Sequence, residues 1–180
     1  MAISRRAQLL HRAREVAVQL VYMLFSRPNQ QLHDTFELFP TEEAFELFED
    51  EQKEEGETTP DLSRFQSVSK FNLEMSEGER NFVMSFAAQI FGGVRDNVDK
   101  IDDIIRNNVD IKWRPERIAT VEKSIISIAI YEAYIGKDAP LNVTISEAVE
   151  LSKTFGTEES ARFVNGFLGF IARNTSNDSK

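Results

Sequence analysis

Val121-Glu122-Lys123-Ser124-Ile125-Ile126-Ser127-Ile128-Ala129-Ile130-Tyr131-Glu132-Ala133 decides how this chain folds. On a helix drawn through it, Val121, Ile125, Ile126, Ile128, Ala129, Ile130 and Ala133 leave little polar face. A surface helix keeps a broad polar side, so this one belongs at the centre of a bundle, covered from several directions. Thr120 is placed to cap its start and Gly136 to stop it, which predicts a helix over 121–135.

Toward the C-terminus the same logic continues. Thr144 and Glu147 have capping-box spacing and predict a helix start there, with Ile145, Ala148, Val149, Ser152 and Phe155 on one side and Gly156 at its end. Thr157 then caps a last helix whose first turn holds Glu158 and Glu159, where the helix dipole favours carboxylates. Phe163, Phe167, Phe170 and Ile171 form its buried stripe, and the tail from Asn174 reads as disordered. Upstream, Trp113-Arg114-Pro115 breaks the pattern, and Pro115 suits a short helical turn.

The N-terminal half is also helical. Leu10, Ala13, Ala17, Leu20, Val21 and Leu24 give residues 5–26 an apolar face, ended by Pro28. Ser76 and Glu79 form a capping box ahead of a long stripe: Val83, Ala87, Ile90, Val94, Ile101, Ile104 and Ile105. Gly92-Gly93 lies inside that stripe, and the periodicity runs through it. The pair therefore reads as a kink or a close helix crossing rather than a phosphate loop. Between the two lies a segment with Phe-Glu-Leu-Phe at 36–39 and again at 45–48, read as two short helices, and a polar stretch over 51–70 read as a loop. No strand pattern appears. The chain reads as all-α, with six or seven helices, and 180 residues at 41% hydrophobic suffice for one core or two tightly joined halves.

Charge is unevenly spread. The net charge is −9, yet residues 34–61 hold twelve Asp/Glu against one Lys, so the remainder of the chain sums to +2. Residues 1–27 carry five Arg against one Glu. On the first helix Arg5, Gln8, Arg12, Glu15, Gln19, Tyr22 and Ser26 recur at alternating steps of 3 and 4, a stripe opposite the apolar face, flanked by Arg6, His11 and Arg14. Arginines contact phosphates and a tyrosine stacks on unpaired bases, so the stripe suits single-stranded RNA. The ordinary alternative is a solvated helix face with a half-buried tyrosine.

Catalysis has no comparable support. There are no cysteines, and His11 and His33 sit on different elements without carboxylate or metal-ligand spacing. No zinc-hydrolase, nucleophile-elbow or nucleotide-binding loop motif is present. No cofactor and no metal are expected. No apolar run is long enough to span a bilayer and no signal peptide is read, so the expected location is cytoplasmic.

Three ordered blocks resemble the NusB family of transcription antitermination factors: Arg12-Ala13-Arg14-Glu15-Val16-Ala17-Val18-Gln19-Leu20-Val21-Tyr22, the central run 121–132, and Val143 to Lys153 continuing through Phe155-Gly156 to Ser160-Ala161-Arg162-Phe163-Val164-Asn165-Gly166. The segment 34–75 matches none of the motifs. The resemblance implies a single domain over 1–180 with about seven helices in two packed subdomains. The N-terminal half covers about 5–110, including an acidic insert at about 34–75, and the C-terminal half about 111–173. It implies binding of single-stranded boxA-type RNA together with the ribosomal protein NusE, acting on RNA polymerase in an antitermination complex during ribosomal RNA transcription. It admits a homodimer. RNA contacts would fall on Arg5, Arg6, His11, Arg12, Arg14, Tyr22, Glu159, Arg162 and Phe163, and partner contacts on Glu116 and Glu122. His11 and Gln8 stand where many members have arginine, Ser127 where arginine is common, and Ser146 where asparagine is usual. Two alternatives accompany this reading: a protein-interaction module that binds no RNA, and a helical domain of the kind associated with RNA methyltransferases.

Overall fold

The computed structural model describes residues 4–26, 75–108 and 118–177. Those residues form six α-helices with no strand among them: α1 (Arg5–Ser26), α2 (Glu77–Asp96), α3 (Val98–Asn107), α4 (Thr120–Ile130), α5 (Leu141–Phe155) and α6 (Glu158–Asn177). The paired short helices and the loop read over 34–70, and the turn at Pro115, lie outside the described residues.

The central position assigned to residues 121–133 is what the structure has. Every residue from Ser124 to Ile130 is buried, and α4 packs against α1, α2, α3, α5 and α6. The cap differs in detail. Ala119 is the N-cap, and the Glu122 carboxylate accepts its amide hydrogen at 3.2 Å. At its C-terminal end α4 widens into a π-helical turn, Tyr131–Ile135, closed where the Gly136 amide donates to the Tyr131 carbonyl at 2.8 Å. Gly136 ends the helix as expected.

The capping box at Ser76 is present in full: the Glu79 amide donates to Ser76 Oγ, and Glu79 Oε2 accepts from the Ser76 amide at 2.9 Å. The stripe that follows is carried by two helices, not one. Asn97 adopts φ −123°, ψ 21° between α2 and α3, and its side-chain amide donates to the Gly93 carbonyl at 2.8 Å. Gly92-Gly93 is therefore not where the helix breaks. Gly93 is instead a close crossing: a Cβ built on it would lie 2.0 Å from Tyr131 Cζ, so only hydrogen fits beneath that ring.

Two C-terminal expectations need correction. Thr144 does not begin α5, which starts at Leu141 behind Pro140; the Thr144 hydroxyl donates to the Leu141 carbonyl within the first turn. Proline at the N-cap supplies the extended backbone there, and Glu147 is left for other work. The chain is also helical to Asn177 and not disordered from Asn174. Asn174 donates to Asn108 at 3.2 Å and Thr175 lies 3.4 Å from the Tyr134 hydroxyl, contacts that hold the last turn to the body. Thr157 does cap α6, accepting from the Ser160 amide at 3.1 Å. Ser160, Ala161, Val164, Phe167, Leu168 and Ile171 are its buried residues, while Phe163 and Phe170 are half-buried.

Candidate nucleic-acid interface

Ser4 starts α1, its hydroxyl accepting from the Ala7 amide at 3.3 Å. The first turn, Arg5 to Ala7, is exposed. From Ala13 to Val18 every residue is buried, because α2 covers one side of α1 and α4 with α5 covers the other. The apolar positions Ala13, Ala17, Leu20 and Val21 face inward as expected, with Leu10 and Leu24 half-buried. The supposed outward stripe does not stay outward. Arg5 is exposed, Gln8, Arg12, Gln19, Tyr22 and Ser26 are half-buried, and Glu15 has no exposed surface.

Two residues assigned to RNA lie in the interior. Arg14 is 4% exposed; its Nε and Nη2 donate to both oxygens of Glu132, at 2.8–3.1 Å. Its Nη1 is 3.6 Å from Glu147, and its guanidinium lies 5.9 Å from the centre of the Phe86 ring. His11 is also buried. Its Nδ1 donates to Glu147 Oε2 at 2.9 Å, and its Nε2 lies 3.4 Å from Glu15 Oε1. Burial pulls the His11 pKa down most strongly, but the hydrogen bond to Glu147, the close approach of Glu15 and the charges of both outweigh it and raise the value to about 9. The imidazole is thus a cation at neutral pH. Burial pushes Glu15 the other way, yet His11 and Arg12 hold its pKa below the usual carboxylate value. Arg12, which is half-buried, donates to Glu15 at 2.9 Å.

The outcome is a charge-balanced network: His11, Arg12 and Arg14 from α1, Glu15 from the same helix, Glu132 from the π-turn and Glu147 from α5. An unpaired charge at such depth would cost several kcal/mol, so each member needs the others. The network explains why Arg14 and His11 cannot serve as phosphate contacts. Neither Glu132 nor Glu147 was singled out as a site residue. The signal was available: a carboxylate in an otherwise apolar helix, at the four-residue step from Ile128, demands a buried cation.

The other arginines of the predicted RNA surface, Arg5, Arg6 and Arg162, lie near helix starts. Arg6 is exposed. Arg5 is exposed and forms a two-bond fork on Glu79, Nε to Oε1 at 2.7 Å and Nη2 to Oε2 at 3.0 Å. In the first two turns of α6, Glu159 and Arg162 are exposed, and Arg162 pairs one turn back with Glu158 at 3.0 Å. Phe163 is half-buried and stacks on Phe167, with centroids 5.9 Å apart. Glu122 is half-buried and occupied in capping α4. Glu116 lies outside the described residues. Among the described residues no group of three His, Asp or Glu is placed to hold a metal ion, and no helix is long and apolar enough to cross a membrane.

The all-helical fold of the described residues is a class that solved structures share. A structure of the antitermination factors NusB and NusE in complex with double-stranded RNA aligns with a TM-score of 0.60 at 19% identity, covering 95% of this chain and 99% of that one. NusB from T. maritima aligns at a TM-score of 0.58 and 25% identity, over 96% of this chain and 93% of that one. The family model described as the NusB family matches residues 44–173, and the chain belongs to that family. The transcription antitermination protein NusB of Thermodesulfovibrio yellowstonii is 41% identical over 108 residues, 60% of this chain and 71% of the relative. The NusB of Desulforudis audaxviator is 48% identical over 87 residues, which span 48% of this chain and 62% of that protein, just under two thirds.

Proposed function

We propose that this chain is a non-catalytic transcription antitermination factor of the cytoplasm, a single NusB-like domain that binds boxA-type single-stranded RNA together with NusE and acts on RNA polymerase in ribosomal RNA transcription. The observation that carries the reading is the placement of Arg5 and Arg6 at the exposed start of α1, with a further exposed arginine, Arg162, at the start of α6. Family membership supports it, as does the likeness to a chain solved with NusE and RNA. Arginine forks at exposed helix starts fit phosphates, and Phe163, next in sequence to Arg162, is half-buried.

The RNA surface in this reading is smaller than the full set of basic residues on α1. It comprises Arg5, Arg6, Glu159, Arg162 and Phe163, with Tyr22 and Arg12 at its margin. His11 and Arg14 hold the scaffold beneath it. Glu122 and Glu116 remain the positions for a basic partner, whose charge would suit carboxylates.

The test is a titration of boxA-like RNA with and without NusE, using the wild type and the Arg6→Ala/Arg162→Ala double variant. The expected result is tighter binding with NusE, weaker binding by the variant, and affinity that falls with salt because phosphate contacts release counterions. Equal RNA affinity for the wild type and the double variant would remove the surface from consideration.

A second reading is favoured by one specific observation. Three of the four α1 arginines, Arg5, Arg12 and Arg14, are already paired with carboxylates of the same molecule, as is His11. A module that binds a basic protein and no RNA has no use for free arginines. Full NusE binding with no RNA binding, alone or in the complex, is its signature.

A further inference from the structure

The Arg5–Glu79 pair joins residues 74 positions apart through two parallel hydrogen bonds, 2.7 and 3.0 Å long, at the surface. Side-chain exposure is 45% for Arg5 and 27% for Glu79, so solvent and a ligand reach both. The same carboxylate closes the capping box of α2, accepting from the Ser76 amide and hydroxyl. That second task needs an acceptor at the third helical position, not a charge: glutamine serves a capping box as well as glutamate. The capping hydrogen bonds of α2 thus do not depend on the negative charge of Glu79, which gives the helix dipole a modest gain and holds the guanidinium of Arg5. Hydrogen bonding to Arg5, more than any other influence, holds the Glu79 pKa down at about 2, so the carboxylate is charged throughout the neutral range.

A guanidinium fork accepts a carboxylate or a phosphate with the same planar geometry. We propose that Glu79 is an internal stand-in for an RNA phosphate on Arg5, so that binding proceeds by exchange: a phosphodiester takes the fork while Glu79 stays on Ser76. This rests on the RNA-binding reading above. The contact tunes affinity and does not block it, since an exposed ion pair is held weakly. It also sets a threshold. A strand that offers a phosphate at the right place at the start of α1 displaces the carboxylate, and a strand that does not leaves Arg5 where it is.

The experiment compares four proteins, wild type, Glu79→Gln, Arg5→Ala and the double variant, for affinity toward boxA-like single-stranded RNA in the presence of NusE. Glu79→Gln is expected to bind about two- to fivefold more tightly, the factor set by a weak exposed pair. Its capping box is retained, so its thermal midpoint should stay close to the wild type. The gain should vanish when Arg5 is absent, leaving the double variant equal to Arg5→Ala. Equal affinity for wild type and Glu79→Gln overturns the exchange while leaving the RNA-binding reading in place. A gain that persists without Arg5 also overturns it, because relief of bulk repulsion would then suffice. No RNA binding by any of the four overturns the RNA-binding reading, and the exchange with it.

Discussion

The first turn of α1 and its third turn carry the same kinds of side chain to opposite ends. Arg5 and Arg6 lie in water, Arg5 gripping an exposed glutamate across the surface. Two turns further on, Arg14 grips a glutamate with a similar fork and is buried with it. The difference lies in what surrounds them: α2, α4 and α5 close over the middle of α1 and leave its start open. An arginine's residue type thus says little about its job until the neighbouring elements are known. In the open, a fork is available for exchange; enclosed, it is a structural member whose loss unpairs a buried charge.

The sharpest way to break this contrast is to remove the inner glutamate. Glu132→Ala removes both oxygens that the Arg14 fork grips and leaves the buried guanidinium only Glu147 at 3.6 Å, which should cost about 3 kcal/mol in chemical denaturation. A loss below about 1 kcal/mol would mean the inner fork is no more binding than an outer one. The pH dependence of stability sharpens the same point. In the folded chain His11 keeps its proton up to about 9, while unfolded it titrates near 6.5. Its contribution is complete below the unfolded value and is lost as pH rises through the folded one. Between them the folded state binds the extra proton, so stability should fall by roughly 1.4 kcal/mol per pH unit at most. A His11→Gln variant should flatten that slope, and an unchanged slope would place the titration elsewhere. Gly93→Ala comes next, with an expected cost of about 1–3 kcal/mol from overpacking against Tyr131. A double-mutant cycle with Tyr131→Ala should recover most of it. The outer residues give the smallest change in stability: Arg6→Ala and Arg162→Ala should each fall within about 0.5 kcal/mol of the wild type. On RNA the order reverses. Each lost phosphate contact should make the salt dependence shallower by about 0.7 in logarithmic slope.

Much of the architecture was legible because it rests on apolar periodicity. The central run at 121–133, the box at Ser76 and the cap at Thr157 follow from local rules, and the structure has each of them; of the kink or close crossing read at Gly92-Gly93 it has the crossing, at Gly93 alone. What escaped was set by tertiary context. Asn97 divides the stripe after α2 by bonding back to Gly93, a contact no period reveals. Thr144 and Glu147 have the spacing of a capping box, but Pro140 starts the helix a turn earlier and Glu147 turns to His11 instead. The polar stripe of α1 obeyed the right spacing and was assigned to solvent because charged residues usually lie there. His11 and Arg14, which flank it, find their partners on α5 and the π-turn, more than a hundred residues away, so sequence neighbours could not show the enclosure. The exposed members of the proposed surface, Arg5, Arg6, Glu159 and Arg162, lie near the helix starts, where local rules still hold.

The ring of Tyr131 occupies the space a side chain at position 93 would need, and Glu132 beside it turns inward to Arg14. One widened turn therefore sets two packing requirements with adjacent residues. Among relatives that keep this turn, a bulkier residue at 93 should arise only alongside a smaller one at 131, and neither exchange should disturb the carboxylate at 132. A swap of that kind would trade one interlocking pair for another while the cation below it keeps its place.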